Sequence, residues 1–125
     1  MQEVVSLIFE RKGLFLAERR TKDVDAGPNK VMFPAGRVQE NESKLDALRR
    51  EIKEELGIEI IDPFFVYKEE FHLTRGNEIV YFYGCKDIKG EPKGLEGQGV
   101  LWIKDEKDLD YDISRRALIA YKDLK

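Results

Sequence analysis

The sequence predicts an α+β fold, an α/β/α sandwich in which a mixed β-sheet is packed between two helices. Three observations carry this expectation. Short β-prone runs occur in both halves of the chain, a helical apolar period takes over at residues 43–57, and a second helical stripe lies at 114–124. The chain has 125 residues, 42% hydrophobic and 38% charged, enough to bury a core without metal or disulfide staples, so a single domain over residues 1–125 is expected.

In chain order, residues 3–9 and 14–17 are β-prone runs separated by Arg11-Lys12-Gly13, which suits a tight hairpin turn. Between 19 and 30 apolar residues thin out and Asp, Gly, Pro and Asn accumulate, the chemistry of a loop. Residues 31–33 give a brief strand, stopped by Pro34. From Ser43 the period becomes that of a helix, with Leu45, Leu48, Ile52 and Leu56 on one stripe that should face the sheet. Ser43 can cap this helix, Asp46 holds the capping-box position as a shorter substitute for Glu, and Gly57 supplies the left-handed stop. Residues 58–61, 64–71 and 78–85 read as strands, with Thr74-Arg75-Gly76-Asn77 as the turn between the last two. Residues 87–99 read as a loop and 100–103 as a strand. A final helix can start at Ser114 as N-cap, since Ala117, Leu118 and Tyr121 share a face.

Charge and composition exclude several roles. The formal net charge is -3 with both signs interspersed, unlike the one-sided basic surface that duplex nucleic acid selects. The N-terminal apolar run is too short to span a membrane, and an acidic residue stands where a signal peptide would be basic, so a cytoplasmic protein without membrane contact is expected. Cys85, the single cysteine, cannot form an internal disulfide and reads as a buried, inert thiol. Trp102 reads as core and His72 as a strand surface residue.

Chemistry concentrates in residues 36–58, GRVQENESKLDALRREIKEELGI. At roughly 100° per residue, with Leu45 as zero, Glu54, Glu51 and Glu55 fall at about 180°, 240° and 280°, an acidic arc bordering the apolar stripe. Like charges at such spacing repel, so a cation is implied. Arg50 lies beside them and can offset one carboxylate through a forked hydrogen bond, but one side chain cannot neutralise three. Magnesium, held by a few carboxylates, waters and substrate phosphates, suits the arc. Read in isolation, the octapeptide from Arg49 to Leu56 is better taken as an ordinary solvated helix face with salt bridges to Arg49, Arg50 and Lys53.

The flanking residues decide between these readings. Gly36, five residues, Glu42, seven residues, Arg50-Glu51, Ile52, Lys53, Glu54-Glu55, Leu56, Gly57 and Ile58 form a pattern that resembles, without a gap, the signature of the Nudix hydrolases. The segment from Asn29 to Gly36, the first hairpin and the stretch from Glu96 to Trp102 also look like their counterparts in MutT-type members.

The resemblance implies a magnesium-dependent enzyme, with manganese as a substitute metal, that cleaves the diphosphate linkage of a nucleoside diphosphate derivative. It implies that Glu54 and Glu55 bind the metal and that Glu51 is a further ligand or positions the attacking water, held by Arg50. The carbonyl of Ala35, where many relatives have Gly, would join the coordination sphere. Glu42 would pair with Arg50 and brace the loop, with Gly36 and Gly57 as structural glycines. Glu96 looks like the MutT-type general base or an extra metal ligand, and Glu51 is its rival. Arg19 or Arg20 is expected to meet substrate phosphates, because guanidinium matches phosphate oxygens bidentately.

A small nucleoside triphosphate is the expected substrate, acted on by a monomer or homodimer. A dinucleoside polyphosphate, ADP-ribose or an RNA 5′ end stand behind it. The region around Asp112 to Arg116 offers Ser114 and Arg115 but lacks the Asn that oxidised-guanine enzymes use there, and Pro63, Tyr67, Tyr81 and Tyr83 miss the spacing of other substrate subfamilies. A nucleotide sensor without turnover and a plain acidic interaction module are the readings from other classes.

Overall fold

The structure, a computed structural model, describes residues 1–21, 28–74 and 76–124. Strands β1 (Gln2–Ile8), β2 (Glu10–Arg11), β3 (Leu14–Arg19), β4 (Val31–Met32) and β5 (Ala35–Arg37) precede helix α1 (Lys44–Leu56). Strands β6 (Glu59–Leu73), β7 (Gly76–Lys89) and β8 (Gly99–Ile103) follow, then a 3₁₀ turn (Glu106–Asp108) and helix α2 (Asp112–Asp123).

The strands form two four-stranded sheets. One has the order β5-β1-β7-β6, and the other runs β2-β3-β4 with β8 on the free side of β3. The first is mixed, because β1 runs parallel to β7 and antiparallel to β5. Alternating side chains send one set to each helix. Val5, Leu7 and Leu16 pack with Leu48, Ile52 and Leu56 of α1. Their neighbours Ile8, Phe15 and Ala17 pack with Leu118 and Tyr121 of α2. The sheet layer therefore lies between the helices, as the sandwich expectation requires.

Helix α1 has the ends its sequence specifies. Ser43 Oγ accepts from Asp46 N at 3.1 Å, and Gly57 adopts φ 71° while its N–H donates to Lys53 O at 2.9 Å. Its inner stripe differs from the expected one. Leu48, Ile52 and Leu56 are buried as expected, but Leu45 is 39% exposed and Ala47 and Glu55 are buried in addition. The helix is thus rolled so that a carboxylate, rather than its first leucine, enters the interior.

Other elements also depart from expectation. The N-terminal hairpin is made by β2 and β3 around Lys12 and Gly13, both at positive φ, while β1 belongs to the other sheet. Residues 58–61 and 64–71 merge into one long strand through Pro63, which is tolerated because β6 is an edge strand, and a bulge between Phe65 and Tyr67 absorbs the irregularity. Asp87 continues β7 instead of opening a loop, and a further short strand, β5, follows Pro34. Gly76 and Asn77 of the expected turn are already in β7, and Arg75 lies outside the described residues. The expected loop at 19–30 includes residues 22–27, also outside them. Helix α2 starts before Ser114: Tyr111 is its N-cap without a side-chain bond, and Ser114 is buried within the first turn. Cys85 is buried and His72 is exposed, while Trp102 is half-buried against the α1 core, with the Arg11 guanidinium 5.1 Å from its ring centre.

Candidate active site

At one end of the sheet layer Glu18 of β3, Glu51 and Glu55 of α1 and Glu96 of the loop before β8 line one cleft of about 660 Å³, together with Arg20 and Gln98. Strand alternation explains Glu18. It shares a face of β3 with Leu16, which is in the core under α1, so its carboxylate points at the helix and is only 6% exposed. Sequence reasoning missed it, although an acid in register with a core leucine was a legible signal.

Glu55 is 7% exposed, and its Oε2 is buried without a hydrogen-bond partner among the described residues. Its carboxyl is pushed well above the usual range, first by burial and then by the charges of Glu18, Glu51 and Glu96. Glu18 is also raised by burial, opposed by hydrogen bonds from Gln98 and Glu55 and by the charge of Arg20. Both carboxyl groups line the same cleft. Without a cation, such a pair favours holding one proton between two oxygens.

Glu51 is held from two sides. Arg50 Nη1 donates to its Oε1 at 2.8 Å, and Gly36 leaves the space its carboxylate fills. Arg50 also forks onto Glu42, with Nε to Oε2 at 2.7 Å and Nη2 to Oε1 at 2.9 Å, and Nη2 reaches Arg37 O at 3.0 Å. The fork holds the Glu42 carboxyl down to about 2, with help from the Gln39 amide. Its effect on Arg50 is reciprocal, raising the guanidinium further. Helix, turn and β5 are thereby clamped together at the cleft edge.

The Glu96 loop is fixed to the end of α1. Lys93 N donates to Leu56 O and Leu95 N to Glu55 O, each at 3.0 Å. Gln98 Nε2 donates to Glu55 O at 3.0 Å and to Glu18 Oε2 at 3.3 Å, and its Oε1 accepts from Glu96 N at 3.0 Å. Gln98 was not foreseen, because a loop glutamine carries no distinguishing sequence signal.

The remaining candidates divide. Ala35 and Gly36 line the cleft, as does Arg20, whose Nε is buried without a hydrogen-bond partner among the described residues. Arg19 points elsewhere, with Nη1 donating to Asn29 O at 3.0 Å. Glu54 is outside the cleft lining; its side chain is 55% exposed and meets Arg50 Nη1 at 3.3 Å.

A divalent cation fits this donor set. Among the described residues no three Asp, Glu, His or Cys side chains converge on one metal-sized point. Glu55 Oε2, without a partner among the described residues, and the carboxylates that share its cleft nevertheless suit a hard cation that completes its shell with waters and phosphate oxygens.

Comparison with known proteins agrees with the geometry. The NUDIX domain model matches residues 1–110. The chain is 32% identical to a CTP pyrophosphohydrolase of Escherichia coli strain K12 over 115 residues, 91% of this chain and 84% of that one. It is 33% identical over 90 residues to an 8-oxo-dGTP diphosphatase of Buchnera aphidicola, 70% of this chain and 72% of that one. An Escherichia coli protein solved in solution superposes with a TM-score of 0.82 at 29% identity, covering 99% of this chain and 90% of that one. With Gly36, Glu51 and Glu55 of the signature at the cleft and this likeness over most of its length, the chain belongs to the Nudix hydrolase family.

Proposed function

We propose that this protein hydrolyses the diphosphate linkage of a small nucleoside triphosphate, using magnesium, with manganese able to replace it. The observation that carries this reading is the buried, unpartnered Glu55 Oε2 in a cleft shared with Glu18, Glu51 and Glu96 and bordered by Arg20. The relatives named for CTP and 8-oxo-dGTP support the substrate class. So does a second cavity of about 210 Å³ beside the first, which shares Arg20 and Met32 with it and is walled by Phe33, Val80 and Phe82, an apolar chamber suited to a flat base.

Glu51, Glu55 and the Ala35 carbonyl would hold the metal, with Glu54 reaching it through a change of rotamer on its exposed flank. When bound, the metal screens the diphosphate charge, stabilises the leaving group and lowers the pKa of the attacking water. Arg50 keeps Glu51 in place, Arg20 meets phosphate oxygens, and Glu96 at the cleft rim takes the proton from water; Glu51 is the competing base. No described helix is long and apolar enough to cross a membrane. A cytoplasmic monomer or homodimer acting on free nucleotides, not on duplex nucleic acid, fits these features.

The test is incubation with magnesium and a panel of nucleotides, with products separated chromatographically and ¹⁸O from labelled water locating the attacked phosphorus. Release of pyrophosphate or phosphate from a triphosphate is expected. Tight nucleotide binding without any product would replace the enzyme by a sensor.

A further inference from the structure

Glu18 lies outside the sequence motif, yet it is as deeply buried as any carboxylate of the cleft. We propose that Glu18 is a ligand of the divalent cation, shared with Glu55, so that the cation site joins β3 to α1. This rests on the metal-dependent reading of the same cleft.

Four observations lead there. Glu18 and Glu55 are 6% and 7% exposed and line the same cleft, and two carboxylates side by side away from water are strongly unfavourable unless a cation or proton lies between them. Among the described residues Glu55 Oε2 has no hydrogen-bond partner, so none of them completes the pair. Gln98, the side chain that bonds Glu18, is neutral; its shorter bond goes to Glu55 O, and the longer one, 3.3 Å, orients Glu18 without cancelling its charge. Arg20 lines the cleft with Glu18, but so do the acids Glu51, Glu55 and Glu96, which one guanidinium cannot offset.

The scaffold around Glu18 is rigid. It lies on a strand paired on both sides, opposite Met32 of β4 and Val100 of β8, so its backbone is fixed before any ligand arrives. A purely structural residue here would be apolar, since Leu16 on the same face is fully buried in the α1 core. The pair also answers a difficulty of the motif acids, of which Glu54 projects away from the cleft. An acid from the sheet supplies a second buried oxygen donor opposite the helix.

The experiment measures magnesium binding to metal-stripped protein by titration calorimetry for wild type, Glu18→Gln and, as a charge control, Glu70→Gln on the exposed side of β6. Glu18→Gln is expected to weaken magnesium at least about tenfold while the metal-free protein melts no lower than wild type. Glu70→Gln should bind as wild type does. Wild-type affinity in Glu18→Gln overturns the proposal. Should that variant not fold, a wild-type crystal soaked in manganese decides: an anomalous peak about 2 Å from a Glu18 oxygen supports it, and a cation held without Glu18 overturns it. Nucleotide turnover by wild type combined with unaltered binding in the variant defeats this inference alone, whereas a wild type that binds no divalent cation defeats the metal-dependent reading as well.

Discussion

Gly36 and the Glu51 carboxylate occupy the same small space: a Cβ built on Gly36 would overlap Cγ, Cδ and Oε2 of Glu51. The clash is with the far end of a flexible side chain, so the chain can relieve it by swinging Glu51 aside at little cost in stability. The cost appears in chemistry, since Arg50 then holds a displaced carboxylate. Gly36→Ala is expected to melt near wild type while kcat drops roughly 10²-fold, the scale of a misplacement of about 1 Å. Melting curves and steady-state kinetics on one preparation check this, and a full kcat would show that the position of Glu51 is unimportant.

The Glu42–Arg50 fork makes a prediction in pH. Glu42 titrates normally near 4.5 and is held down to about 2 in the fold. A depressed carboxyl stabilises the folded state fully above its unfolded value, and that contribution is lost as pH falls towards the folded value. The stability difference between wild type and Glu42→Gln should therefore be constant above about pH 4.5 and shrink on acidification towards 2. Urea unfolding of both proteins across that range is the measurement, and a difference independent of pH would contradict the pairing.

What was legible in the sequence follows from how local the cause is. Helix α1 was readable at both ends because Ser43 and Gly57 act within one turn. Its roll was not, because whether Leu45 or Glu55 enters the interior depends on where the sheets place Leu16 and Glu18. The two-sheet arrangement was hidden for the same reason, since β1 and β2 follow each other closely and only the break at Phe9 separates them. Motif recognition found Glu51 and Glu55 but could not reach Glu18 or Gln98, whose partners lie 37 and 43 positions away along the chain.

Glu55 makes a prediction of opposite sign. Its carboxyl is raised from 4.5 towards about 9, so the folded state binds that proton more tightly than the unfolded chain. That contribution is complete below about 4.5 and is lost as pH rises through the folded value, so the chelator-treated protein should melt progressively lower between pH 5 and 9. Glu55→Gln should flatten the profile, keep the fold and cut turnover by orders of magnitude. Added magnesium should raise the wild-type melting temperature most at the alkaline end. Differential scanning fluorimetry with and without magnesium tests each part, and full hydrolysis by Glu55→Gln would remove that carboxylate from the chemistry.

Gln98 tests how the Glu96 loop is set. Its amide joins Glu96 N, Glu18 and Glu55 O, so truncation frees the loop on one side while the Lys93 and Leu95 amides still hold it to α1. The loop should stay docked but lose the orientation of its carboxylate. Gln98→Ala is then expected to lower kcat about tenfold with little change in KM, because the loss falls on the proton transfer proposed for Glu96. The decisive comparison is a double-mutant cycle: in a Glu96→Gln background the Gln98 truncation should cost far less, since the group it positions is already disabled. Equal costs in both backgrounds would mean that Gln98 acts through Glu18 and Glu55 instead, and would move its role from the loop to the buried pair.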